Sequence, residues 1–231
     1  MGQAMGETIN MSKTEHDRVT AAVRAAEEGT SGEIVTIVAD ASDHYLDTAL
    51  WWAAGAALVK LAFLAAFPSI GQSIIEMIAG GWVTEIGAGE YFELALATFV
   101  ITFGVVRLLL QIPKLRIALT FPRVKSKRVR NRAIDLFKVG AESRTIGRTG
   151  ILIYLSLAEH RAEIVADEAI HKQVSNDMWG AAMTDLISHV REGRITDGMI
   201  AAVNDVGEIL AEYLPRQDDD INELPDRLIE L

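Results

Sequence analysis

The stretches LDTALWWAAGAALVKLAFLAAF, residues 46–67, and FELALATFVITFGVVRLLLQI, residues 92–112, decide how the rest of the chain is read. They are 22 and 21 residues long. At about 1.5 Å of rise per residue each helix would cross a hydrocarbon core of about 30 Å. Both are apolar all round rather than along one stripe, and a domain of this size rarely has room for two such helices in its core. Tyr45, Trp51, Trp52, Trp82 and Tyr91 stand near the apolar boundaries, where amphipathic rings favour the headgroup zone. A mean hydropathy of +0.21 in a chain with 23% charged residues points the same way. The sequence predicts a two-span membrane hairpin, residues 46–112, set inside one soluble domain.

Less the hairpin, about 150 residues remain, enough for one core of their own. The chain has no cysteine. Disulfide scaffolds, thiol nucleophiles and thiolate zinc sites are thereby excluded. Its formal net charge is −10, yet Lys114, Arg116, Arg123, Lys125, Lys127, Arg128, Arg130 and Arg132 follow the second apolar stretch with no Asp or Glu among them. The loop between the stretches carries Glu76, Glu85 and Glu90 and neither Lys nor Arg. This asymmetry places the loop outside and both flanking segments, with both termini, in the cytoplasm. The opening MGQAMGETINMSKTEHDR has no basic flank and apolar core of the kind that directs export. Beside a membrane span in an acidic chain, the basic run implies anionic lipid headgroups as its contact rather than nucleic acid. Lys60 and Arg107 lie about 10 Å and 8 Å from the nearer ends of their helices, within snorkelling reach.

Residues 1–11 show no periodicity and read as a disordered N-terminus. The domain opens over 12–45. Ser12 and Glu15 have capping-box spacing, Val19, Ala22, Val23 and Ala26 follow at helical intervals, and Gly29 is the stop. EIVTIVA, residues 33–39, is rich in β-branched side chains and reads as a strand buried on both faces. Pro68 ends the first span, and 69–79 reads as a short interfacial helix before a glycine-rich turn. The domain resumes over 113–215. A helix is expected over 116–139, with Pro122 at a start or kink. GILIYLSL at 150–157 and RAEIVA at 161–166 read as strands joined by Ala158-Glu159-His160. Two helices follow, capped by Ser175-Asn176-Asp177 and by Thr196 and stopped at Gly193 and Pro215. Residues 216–231 read as an acidic tail.

The order helix, strand, helix, strand, strand, helix, helix, carried by TSGEIVTIVA, RTGILIYLSLAEHRAEIVADEAI and WGAAMTDLISHVREGRITDGMIAAVNDVGEILAEYLP, resembles the TPM domain family, and most of all its bacterial membrane-protein subgroup. The resemblance covers residues 12–40 and 120–215. It implies an α/β fold, a three-layer α/β/α domain with a small mixed sheet, here interrupted by the hairpin and held at a bacterial inner membrane. Relatives include acid phosphatases of the thylakoid lumen, calcium-binding members and accessory subunits of receptors. Typical members lead into the central strand with Asp-Asn-Gly and follow the hairpin with Gly-Tyr-Gly. This chain has Arg148-Thr149-Gly150 and Asp167-Glu168-Ala169 in those places.

A calcium site needs several hard oxygen ligands converging on one point. The candidates are Asp40 and Asp43 after one strand and Asp167 and Glu168 after another, which meet if those strand ends lie together. His16, His44, His160, His171 and His189 show no metal-binding spacing, and no nucleophile elbow, phosphate loop or dinucleotide fingerprint occurs. No cofactor and no tight divalent-metal site are expected; calcium at the four acids is the one alternative the sequence admits. The expected function is that of a membrane-anchored interaction or assembly module with an unidentified protein partner and scope for oligomers. The alternative is a metal-assisted hydrolase of the acid-phosphatase kind.

Overall fold

The strand read at 33–39 is β1 (Glu33–Ala39), and every residue in it is buried. It is buried because partners arrive from both sides of the apolar insertion. The computed structural model describes residues 11–80, 86–140, 149–175, 177–217, 224 and 226–231. Expectations placed on residues 1–10, Trp82, Glu85, Arg148 and Asn176 lie outside these. Two units are present, Met1–Asp43 with Phe121–Leu231, and His44–Thr120. In chain order the elements are α1 (Lys13–Glu27) and β1, then α2 (Leu46–Ala66), α3 (Pro68–Ile78), α4 (Ala88–Leu109) and α5 (Pro113–Ala118) in the second unit. The first unit resumes with α6 (Pro122–Gly140), β2 (Gly150–Ser156), β3 (Arg161–Ala166), α7 (Glu168–His171), α8 (Met178–Arg191), α9 (Ile195–Tyr213) and β4 (Ile229–Glu230).

The sheet order is β3-β2-β1-β4. β1 and β2 pair in parallel from Glu33↔Gly150 to Ala39↔Ser156. β3 returns antiparallel on β2, and β4 pairs in parallel with β1 through Ile37↔Ile229 and Val38↔Glu230. Alternation along the strands feeds two cores. Ile34, Val38, Ile151, Ile153 and Leu155 face a layer with Val19 and Val23 of α1, Leu186 of α8 and Met199 and Val206 of α9. Val35, Ile37, Ala39, Leu152 and Tyr154 face Val129, Ala133 and Phe137 of α6. The result is a three-layer α/β/α domain with a small mixed sheet, as the resemblance implies. β1, α6 and β2 form a parallel crossover unit whose connection contains the apolar insertion.

The capping box at Ser12 is formed: its Oγ accepts the Glu15 N–H (3.3 Å), while Glu15 Oε2 accepts the Ser12 N–H (2.7 Å). Three local expectations are corrected. The helix over 116–139 is two helices, and of the two roles open to Pro122 it takes that of a start, opening α6 at a position where its missing N–H has no helical partner to lose. Thr196 does not cap α9; it lies inside the first turn, where its Oγ1 donates to Glu15 Oε1 (3.2 Å), and Arg194 holds the cap position. The stretch read as an acidic tail returns to the sheet as β4, a strand too short to show any periodicity. Close helix approach is set by glycine. A Cβ on Gly207 of α9 would stand 2.7 Å from the Ala26 Cβ of α1.

In the second unit α2 packs along α4 and buries Ala49, Ala53 and Ala57, one small residue per turn. Trp52 Nε1 donates to the Leu119 carbonyl (3.1 Å), so the start of α2 meets the segment that follows α4 and the hairpin is closed. Many of its large apolar side chains face outward, with Trp51, Val59 and Phe92 each exposed by more than 70%. Both α2 and α4 are long and apolar enough to cross a membrane, and 17% and 0% of their most apolar windows are buried. Helices of a soluble core would be buried along most of that length.

Candidate functional site

β1 and β2 run in the same direction, so the segments leaving them converge at one sheet end. There Glu159, 7% exposed, accepts the Ser42 N–H (3.0 Å to Oε1) and the Ser156 hydroxyl. Ser42 Oγ shares a hydrogen bond of 3.0 Å with the Tyr154 hydroxyl. Arg128 of α6 reaches the same loop and donates to Asp43 Oδ2 (2.8 Å). Burial pushes the Tyr154 hydroxyl above its ordinary pKa; the bond to Ser42 opposes this, the Glu159 charge adds to it, and Ser156 and Arg132 draw it back. Tyr154 is therefore a neutral hydrogen-bonding group at physiological pH. Ser156 and Tyr154 are fully buried, so neither can attack a substrate in solution. The network holds the loop after β1 against the sheet.

The four acids proposed as metal ligands fall into two sets. Asp40 and Asp43 lie at this sheet end. Asp167 and Glu168 lie at the other, because β3 runs back along β2 from Ser156↔Arg161 to Ile151↔Ala166. A six- or seven-residue strand separates the pairs by about 20 Å. Asp167, 5% exposed, uses Oδ2 to accept the Gly150 N–H (3.2 Å) and its own N–H to reach the Gly150 carbonyl (3.0 Å), closing the hairpin. Glu168 pairs with Lys172 (2.9 Å). The strand ends that carry the four acids do not lie together, since both pairs follow strands but the strands run in opposite directions. Among the described residues no three His, Asp or Glu side chains converge on a metal-sized site.

The basic run divides by helix face. Arg116 turns inward, 8% exposed, and its Nη1 donates to the Leu110 carbonyl (3.2 Å) at the end of α4, placing a cation on a helix C-terminus. It is therefore not presented to solvent with the others. Arg128 is committed to Asp43, and Arg130 lies 3.5 Å from Glu163 of β3. Burial raises the Glu163 pKa, with Arg130 and Arg161 opposing. Lys114, Arg123, Lys127 and Arg132 are exposed, and Lys125 is half-buried. Phe121, 65% exposed, stands just before α6. Sequence reading named Asp43, Arg128 and Arg132 but missed Ser42, Tyr154, Ser156 and Glu159, which are joined across 117 positions by the strand register alone.

A four-stranded mixed sheet with α1, α8 and α9 on one face and α6 on the other defines the class: an α/β/α sandwich. Residues 116–209 match the family model of the TPM domain. That match runs from α5 into α9 and leaves α1, β1 and β4 outside it. The NMR structure of the BA42 protein from the psychrophilic bacterium Bizionia argentinensis is similar to this chain, at 19% identity and a TM-score of 0.54, over 100% of both chains. That likeness is one of fold. No curated protein matches the chain.

Proposed function

We propose that this chain is a membrane-anchored TPM domain that works as an interaction and assembly module on the cytoplasmic face of a bacterial inner membrane. The observation that carries the reading is the pair of helices α2 and α4, whose large apolar side chains face outward along lengths suited to a bilayer. Exposed Lys114, Arg123, Lys127 and Arg132 follow them in the chain, cations suited to anionic headgroups. The sheet-end network supports a holding role, since the Tyr154 and Ser156 hydroxyls are buried and both are bonded. The test is thiol labelling in intact bacterial cells. Ser73→Cys, in α3, should react with an impermeant reagent, while Ser31→Cys and Ser188→Cys should react only after the cells are opened. The reverse pattern overturns the orientation and the cytoplasmic role together.

A further inference from the structure

β1 has the seven-residue β2 on one side and only the two-residue β4 on the other. That second edge is closed in two halves. Toward its start the Ile34 N–H donates to Glu27 Oε1 (2.7 Å), and Glu33 Oε2 accepts the Leu224 N–H (3.2 Å). Toward its end the Leu231 N–H donates to the Val38 carbonyl and the Leu231 carbonyl accepts the Asp40 N–H, each at 3.0 Å, so Leu231 stands opposite Ala39. Side chains select the segment as well. Leu228 enters the core beneath α1, α8 and α9, and Leu224 enters the core beneath α6. Arg24 of α1 donates from Nε to Asp226 Oδ2 (2.8 Å). Glu230 Oε1 accepts the Met11 N–H (3.2 Å) and lies 3.0 Å from His16 Nε2. The edge thus recognises an extended segment by its main chain, by apolar side chains on both faces, and by two carboxylates read from α1.

We infer that this edge of β1 is a strand-exchange site, at which Leu224 and residues 226–231 of a second copy of the chain replace the resident segment and join two chains. A second copy is the occupant because its sequence is the one seated on the edge. Every ladder bond, buried leucine and ion pair made within one chain is remade between two, so exchange leaves the contacts unchanged. Release is local: the ladder has two residues, and the Arg24 side chain that holds Asp226 is itself 69% exposed. The inference rests on the assembly reading above and names its partner. Chains confined to one membrane face meet at a raised effective concentration.

The test uses two differently tagged full-length chains, one with Ala39→Cys and one with Leu231→Cys, co-expressed and oxidised in isolated membranes. The chain has no other cysteine. Paired strands lie about 5 Å apart, within disulfide reach. The disulfide-linked heterodimer should form several-fold more than with Ser188→Cys in place of Leu231→Cys. It should be lost when the Leu231→Cys chain also carries Ile229→Pro, which a ladder position does not accept. If a chain bearing both cysteines closes an internal disulfide while the single-cysteine chains give no heterodimer, the strand stays within its own chain and the inference falls. Equal heterodimer from Ser188→Cys, or linkage of the Ala39→Cys chain to a different protein, overturns it too. Because β1 and β4 belong to one unit, a reversed labelling topology leaves this cross-link readable, so the two readings fail separately.

Discussion

Gly207→Ala sets two effects of known sign against each other. A helix-interior glycine replaced by alanine gains about 1 kcal/mol of helix propensity. At Gly207, however, the added Cβ would stand 2.7 Å from the Ala26 Cβ and 3.2 Å from its Cα, across the contact of α9 with α1. Carbon atoms pack at about 3.5–4.0 Å, so the helices must part by about 1 Å. A gap of that size forfeits a quarter to a half of the dispersion at the contact, where Val19 and Val23 of α1 are fully buried. Overpacking of this kind costs about 1–3 kcal/mol before relaxation is counted. The net expectation is a loss of up to about 2 kcal/mol where propensity alone would give a gain of about 1 kcal/mol, read by chemical denaturation of the detergent-solubilised chain followed by circular dichroism. Gly180→Ala is the control: nothing lies within 4 Å of its added Cβ, and a gain of about 0.5 kcal/mol is expected. Ala26→Gly in the Gly207→Ala background should recover most of the packing loss, less its own propensity cost. A Gly207→Ala chain more stable than the parent by about 1 kcal/mol, the full propensity gain, refutes the close α1–α9 contact.

Leu152→Asp and Ile153→Asp place an unpaired charge at the sheet centre, where both residues are at most 2% exposed. The cost of several kcal/mol is comparable to the whole stability of a domain, and limited proteolysis should show the first unit unfolded. Glu159→Gln removes a charged acceptor from the Ser42 N–H and Ser156 hydroxyl. It should destabilise the domain by about 1.5–3 kcal/mol in denaturant titration. Removing the Glu159 charge should also move the Tyr154 absorbance titration toward lower pH, because that charge raises the Tyr154 pKa. Glu163 is the pH-sensitive case: burial raises its pKa, so the folded domain holds its proton more tightly than the unfolded chain. Its contribution to stability is full below the ordinary carboxylate value and is lost as pH rises through the raised one. Glu163→Gln should therefore gain melting temperature relative to the parent as pH rises from about 4 to 7, and a gap that shrinks over that range refutes the assignment.

Strands whose character is uniform along their length were legible from the residues. EIVTIVA and RAEIVA mark β1 and β3 to the residue, and GILIYLSL marks β2 less its last position. The hairpin was legible because an all-round apolar run of that length has few other uses. What failed was long-range. β4 is two residues and leans on β1 for its definition, so no local pattern announces it. The convergence proposed for Asp40, Asp43, Asp167 and Glu168 treated all strand ends as equivalent, but the reversal at Ala158-Glu159-His160 sends β3 back to the far end of the sheet. That same reversal supplies Glu159 to the Ser42 loop, a pairing that depends on register and leaves no trace in spacing. Thr196 looked like a cap because its residue type suits one; the nearby Glu15 carboxylate offers its hydroxyl a different partner.

The central pair of the sheet, β1 on β2, joins Glu33 to Gly150, 117 positions later in the chain. Synthesis at about 5–20 residues per second leaves β1 without that neighbour for several seconds at least. The apolar hairpin leaves the ribosome within that interval, so it can settle in its own environment before the sheet has a centre. Loop closure over such a distance is a slow step, and until it occurs a seven-residue apolar strand stands unpaired. The order of events in making this protein follows from its strand pairing: the insertion first, the sheet second, and β4 over the remaining edge last of all.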